Sequence, residues 1–197
     1  MSQSDPIVAI VYHSGYGHTK VQAEHVQKGA EEGGAATHLV DASELSSPDE
    51  GPWDHLDGAD AIIFGSPTYM GSVSGPFEMF ADASSKRWFN GTWNDKLAAG
   101  FSNSGSFSGD KVVALQRMMT LAMQHQMIWV SLGLMPGKPD HPGDDEENLN
   151  RLGFYMGAGA QSDNDKGPDV VPRASDLATA RHLGHRVATV AKRYSRG

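Results

Sequence analysis

The feature that most restricts this chain is a run of six near-continuous apolar residues, Ile7-Val8-Ala9-Ile10-Val11-Tyr12, that breaks into His13-Ser14-Gly15-Tyr16-Gly17-His18-Thr19. Several of the six are β-branched, and a strand apolar on both faces belongs in a parallel sheet covered on both sides. The next stretch, over about residues 19–32, reads as a helix. Val21, Ala23, Val26 and Ala30 can share one face of it, and Gly33-Gly34 ends it. A strand, a small polar turn and a helix N-terminus make an anion site, because free backbone N–H groups converge where the helix dipole is positive. The alternative is an ordinary turn that binds nothing, since small polar residues are common there.

Missing residues narrow the kind of anion. A dinucleotide fingerprint needs a third glycine where this chain has Lys20, and a P-loop needs a Gly-Lys pair that Gly17 and Lys20 do not make. Hydroxyls at both ends of the turn, Ser14 and Thr19, suit one terminal phosphate monoester, whose oxygens accept short charge-assisted bonds. The turn therefore favours a mononucleotide.

The same pattern recurs. A short second strand over 36–42 leads into a polar connection over 43–57, in which Asp41 reads as a turn or cap residue. A third strand, Ala59-Asp60-Ala61-Ile62-Ile63-Phe64-Gly65, runs into Ser66-Pro67-Thr68-Tyr69-Met70-Gly71-Ser72-Val73-Ser74-Gly75-Pro76, and Pro76 fits the first turn of a helix reaching about Arg87. A fourth strand over 96–101 leads into Ser102-Asn103-Ser104-Gly105-Ser106-Phe107-Ser108-Gly109. A helix over 110–126 comes after it, its methionines read as packing. A fifth strand is expected over 127–133 and a last helix over 174–191, with Ser175 as its N-cap. Alternating strands and helices imply α/β architecture, a parallel sheet between two helical layers with right-handed crossovers. With five strands in the order 2-1-3-4-5, the loops after strands 1, 3 and 4 meet on one rim.

Composition removes several function classes. The 197 residues suit a single domain. With no cysteine, disulfides, thiolate metal sites and thiol nucleophiles are out. A formal charge of −8 argues against a nucleic-acid ligand. No apolar leader or run near membrane-spanning length is evident, so a soluble cytoplasmic protein without membrane contact is expected. His141 beside Asp144-Asp145-Glu146-Glu147 could suggest a metal, but a solvated charged turn is the reading taken, and no metal site is expected.

Taken together, Tyr12-x-Ser14-x-Tyr16-Gly17-His18, Ile62-Ile63-Phe64-Gly65-Ser66-Pro67-Thr68, Gly71-x-x-Ser74-Gly75, Trp88, Lys96-Leu97-Ala98, Phe101-Ser102-x-Ser104-Gly105, Thr120-Leu121-Ala122 and Ala180-Arg181-x-x-Gly184 carry a likeness over most of the chain. It resembles the flavodoxin-like fold and, within it, the WrbA-type NAD(P)H:quinone oxidoreductases, which hold FMN. The resemblance implies a three-layer sandwich in which Ser14, Gly15, Tyr16, Gly17, His18 and Thr19 wrap the FMN phosphate. Pro67, Thr68, Tyr69, Met70 and Gly71 would edge the isoalloxazine, and Asn103, Ser104, Gly105 and Ser106 would border its other side. His125 falls near a family histidine that reaches the flavin, although its place at a helix C-terminus fits a dipole contact as well. Tyr16 and Trp88 would sandwich the nicotinamide or quinone, with core packing the alternative for Trp88.

The resemblance also implies hydride transfer from NADH or NADPH to a quinone in two half-reactions at one flavin face, with no protein nucleophile. A flavodoxin-type electron carrier is the alternative, against which Tyr16, Trp88 and the long late segment favour the enzyme; a flavin, azo or nitro reductase shares every residue named. The chain departs from the family in a third loop poorer in glycine, in Tyr69-Met70 where the family has Arg-Phe, and in a shorter second crossover. Residues 135–173 form a long irregular segment expected at the active-site rim or in an oligomer contact, its Gly153-Phe154-Tyr155-Met156-Gly157-Ala158-Gly159 patch reaching a neighbouring subunit's flavin. A homotetramer or homodimer is implied.

Overall fold

The computed structural model describes residues 5–138 and 143–194. The strands are β1 (Ile7–Tyr12), β2 (Ala36–Asp41), β3 (Ala61–Tyr69), β4 (Ser72–Val73), β5 (Leu97–Ser104), β6 (Ile128–Trp129) and β7 (Ala158–Gln161). The helices are α1 (His18–Glu32), α2 (Trp53–Asp57), α3 (Gly75–Ala83), α4 (Ser85–Phe89), α5 (Lys111–Gln124) and α6 (Ala174–Tyr194), with a short 3-10 turn at Ala42–Leu45. Five strands lie parallel in the order β2-β1-β3-β5-β6, which is the expected 2-1-3-4-5. β4 and β7 are additional.

Alternation along the buried strands feeds two cores. Val8, Ile10, Ile63, Ala99 and Phe101 pack toward Val26, Leu183 and Val187. Ala9, Val11, Ile62, Phe64 and Ala98 pack toward Trp53, Phe77, Phe80, Trp93, Leu115 and Met118. Each fully buried large side chain contributes about 1.5–3 kcal/mol, so the paired cores dominate the fold's stability. α1 and α6 meet backbone to backbone: a Cβ on Gly29 would stand 1.8 Å from the Arg181 carbonyl oxygen, and one on Gly184 1.9 Å from that of Val26.

Four expectations change. β3 does not stop at Gly65 but continues to Tyr69 and turns back through Met70 (φ 49°) and Gly71 (φ 82°) into β4, pairing Thr68 with Val73. The helix expected after Pro76 is broken at Ser84, whose hydroxyl bonds the Ala81 carbonyl (2.7 Å). Ser175 lies inside α6, and its hydroxyl donates to the Asn148 carbonyl (2.7 Å) rather than to a helix amide.

The fourth change concerns the fifth strand. Only Ile128 and Trp129 pair with β5, at Leu97 and Ala98; β7 takes up the same edge further on, from Phe101↔Ala158 to Ser104↔Gln161. Part of the glycine-aromatic patch packs within this chain: a Cβ on Gly157 would lie 2.0 Å from the Gly100 carbonyl oxygen, and the partly buried Phe154 rests on the core, while Tyr155 stays 59% exposed. His141 lies outside the described residues. Among the described residues, no helix is long and apolar enough to cross a membrane.

Candidate functional site: a cleft at the strand C-termini

The first wall is the turn between β1 and α1. Gly17 takes a left-handed conformation (φ 90°) that lets the chain enter α1 sharply. The helix start carries neither a side-chain cap nor an acidic residue in its first turn. Its dipole and free amides are thus left for an anion. Lys20 N–H donates to Ser14 Oγ (3.1 Å), which orients that hydroxyl, and Thr19 is buried beside it. Just before the turn, burial pushes the His13 imidazole down, and its Nδ1 is buried without a hydrogen bond.

The end of β3 makes the second wall. Thr68 Oγ1 and Ser102 Oγ are 2.9 Å apart across the two strands. Tyr69 folds back over the first turn, so that a Cβ on Gly15 would stand 2.4 Å from its hydroxyl, and meets Tyr16 edge-on at 6.4 Å. Burial, then the neighbouring Tyr16, raises the Tyr69 phenol. Tyr16 itself stays 77% exposed at the mouth.

The third wall, Asn103 to Gly105, stands on a buried cation that the sequence did not reveal. Lys111, fully buried at the start of α5, donates to Ser104 Oγ (2.7 Å) and to the carbonyls of Ser106 (2.8 Å) and Phe107 (3.0 Å). Its ammonium lies 5.5 Å from the centre of the Phe154 ring. Burial pushes it down to about 8, Asp176 opposing and Arg151 reinforcing the shift. A lysine tether thus replaces some of the glycine expected in this loop.

A fourth wall comes from the late segment: Ser162, Asn164, Lys166, Gly167 and Pro168 close the cleft. The enclosed space is about 620 Å³, within the range of cofactor sites. Ser14, Tyr16, His18, Thr19, Pro67, Thr68, Tyr69, Asn103, Ser104 and Gly105 all line it. Gly15 and Gly17 shape the first turn, Met70 and Gly71 form the tip of the β3–β4 hairpin, and exposed Ser106 turns its carbonyl to Lys111. Nothing in the late segment's sequence flagged its wall, because its contacts run to residues far away in the chain, Asn103, Ser104 and His18.

Two expected site residues lie elsewhere. His125 and Trp88 share a separate hollow between α3, α4 and α5, with Arg117 and Gln124. His125 is 3% exposed, bonds Ser84 Oγ through Nε2 (2.8 Å) and packs on Trp93 at 4.3 Å. Burial pushes its imidazole down to about 4, so it is neutral at pH 7. Within one chain, neither reaches the cleft; the helix break at Ser84, which the sequence did not signal, draws His125 inward.

The donor set fits a flavin mononucleotide. Hydroxyls and uncapped amides gather at one end, aromatic and amide groups at the other. Among the described residues no carboxylate lines the space, in a chain of net charge −8.

Comparisons with known proteins agree with this geometry. A model of the NADPH-dependent FMN reductase family matches residues 7–136. Flavodoxin FldP of Pseudomonas aeruginosa is 45% identical over 181 residues, covering 92% of this chain and 94% of that protein. An NAD(P)H dehydrogenase (quinone) of Archaeoglobus fulgidus is 31% identical over 210 residues, covering 94% and 97%. The crystal structure of a flavodoxin, WrbA-like protein from Agrobacterium tumefaciens superposes with a TM-score of 0.72 at 43% identity, covering 95% of this chain and 98% of that one. The chain belongs to the NADPH-dependent FMN reductase family, as a flavodoxin-like protein of the WrbA type whose cofactor is FMN.

Proposed function

We propose that this protein accepts hydride from NADH or NADPH and delivers two electrons to a quinone through FMN held in the cleft. The observation that carries the reading is the lining of the cleft: the hydroxyls of Ser14, Thr19 and Thr68 together with an exposed aromatic ring, Tyr16. Ser14, Thr19 and the first amides of α1 hold the phosphate. Thr68, Tyr69 and the backbone of Asn103 to Gly105 border the ring system and exclude water from its edges. Tyr16 offers a flat face on which a nicotinamide or a quinone can stack. Bound FMN supplies the two-electron chemistry, so the chain needs no nucleophile. The two substrates would use the same flavin face beside Tyr16 in turn, which gives ping-pong kinetics.

Trp88 enters this reading through a homo-oligomer. Trp88, Phe89 and Met79 are 45%, 83% and 55% exposed on α3 and α4, an apolar face suited to a second copy. On such a face, Trp88 of one copy can serve the cleft of another.

The test is anaerobic mixing of the FMN-loaded protein with NADPH or NADH, then with benzoquinone. Bleaching by the nicotinamide and recovery with the quinone, with parallel lines in steady-state plots, supports the reading. Protein that stays yellow with either nicotinamide but takes electrons from a flavodoxin reductase is an electron carrier instead. The name of the Pseudomonas relative favours that second reading.

A further inference from the structure

The late segment does more than fill a gap in the wall. Residues 162–168 form a strap pinned at both ends. At one end, Ser162 N–H donates to the Ser104 carbonyl (3.0 Å), and Ser162 Oγ to Asn103 Oδ1 (3.0 Å). At the other, the His18 Nε2 bonds the Lys166 carbonyl (2.9 Å), and Pro168 sits so close to Gly17 that a Cβ there would come within 3.0 Å of its ring. The strap therefore ties the third loop to the first turn and holds Lys166 beside the uncapped start of α1.

Among the described residues that line the cleft, Lys166 is the only lysine or arginine. The Lys166 Nζ is paired with Asp163 Oδ2 at 2.6 Å, three residues back, and the two side chains are 42% and 26% exposed. A partly exposed pair of this kind is weak and exchanges readily. A phosphate monoester carries nearly two charges and three strong acceptors, so it outcompetes one carboxylate for that ammonium.

We propose that Lys166 is the counter-ion of the FMN phosphate. By carrying it, the strap selects phosphorylated flavin over riboflavin. The inference rests on the reading that the cleft holds FMN.

Binding of FMN and of riboflavin to flavin-free protein, monitored by quenching of flavin fluorescence, tests it in the wild type, Lys166→Gln and Lys166→Arg. Lys166→Gln should weaken FMN roughly tenfold or more, the loss expected of one charge-assisted contact, and leave riboflavin unchanged. Lys166→Arg should restore FMN. The wild-type advantage should shrink as salt is raised. An unchanged FMN-to-riboflavin ratio in Lys166→Gln would overturn the proposal, as would equal weakening of both flavins, which marks a merely structural strap. A wild type that binds riboflavin as tightly as FMN would overturn the phosphate role while leaving flavin binding intact. A wild type that binds neither would overturn both readings.

Discussion

Replacing Lys111 with methionine removes an ammonium that the fold buries completely while keeping its length and most of its packing. Lys111 sits at the N-terminus of α5, where the dipole disfavours a cation, and burial lowers it from 10.5 to about 8. The sign is set by which state binds the proton more tightly. Above pH 8 the folded chain gives the proton up while the unfolded chain still holds it. Stability therefore rises as pH climbs from about 8 toward about 10.5. Integrating between the two values, the wild type should gain about 2 kcal/mol relative to Lys111→Met between about pH 7 and about pH 9.5. The difference at one pH mixes three lost hydrogen bonds with relief of burial, so the slope is diagnostic. Tyr12 and Tyr69, both raised chiefly by burial, titrate in both proteins and cancel. Urea denaturation of the two proteins across this pH range measures the slope. Parallel profiles would refute the picture of a desolvated ammonium beneath the third loop.

Other perturbations act on named contacts. Gly29→Ala drives a methyl into the Arg181 carbonyl and should cost about 3 kcal/mol or more, lowering Tm by roughly 6–12 °C; an unchanged melting curve would mean α1 and α6 are not in backbone contact. Asp176→Asn strands the Arg151 guanidinium, now 2.7 Å from the carboxylate and nearly buried, and should cost about 3–5 kcal/mol in urea denaturation; a cost below about 1 kcal/mol would show that the pair is not desolvated. Ser14→Ala with Thr19→Ala removes two phosphate contacts of about 1.5–3 kcal/mol each, so FMN should dissociate at least about a hundredfold more readily in dialysis; undiminished retention would place the anchor in another loop. His125 is held down to about 4, so its contribution is whole above about pH 6.5 and is lost as pH falls toward 4; the acid limb of the stability profile should flatten in His125→Gln, and an identical limb would contradict its burial.

The strands and the three rim loops were readable in the sequence because buried parallel strands write themselves as apolar runs and their C-terminal turns as small polar residues, while the strand order came from the doubly wound fold type. The limits are equally physical. Ile128 and Trp129 were visible as a strand, but Ala158-Gly159-Ala160 carries no β-branched residue: the neighbouring glycines are small because Gly100 and Phe154 crowd them, and smallness reads as loop. The hairpin at Met70-Gly71 hid inside a polar stretch. Lys111 looked like any helix-start lysine, since burial of a charge depends on partners brought from Ser104 to Phe107 by the fold. The family likeness drew His125 and Trp88 toward the flavin, whereas the hydroxyl of Ser84 and the ring of Trp93 fix His125 inside the helical layer.

The shared outer edge of β5 has a consequence for how such a protein can vary. β6 closes one half of that edge and β7 the other, and the chain between them leaves the sheet and returns. The strap departs from β7 side by side with the third loop departing from β5, so two walls of the cleft share one root in the sheet. Arg151, inside that excursion, donates to Asp176 (2.7 Å), which also accepts from the Gln161 amide at the end of β7 (2.9 Å), so a change in the excursion is carried to the root of the strap.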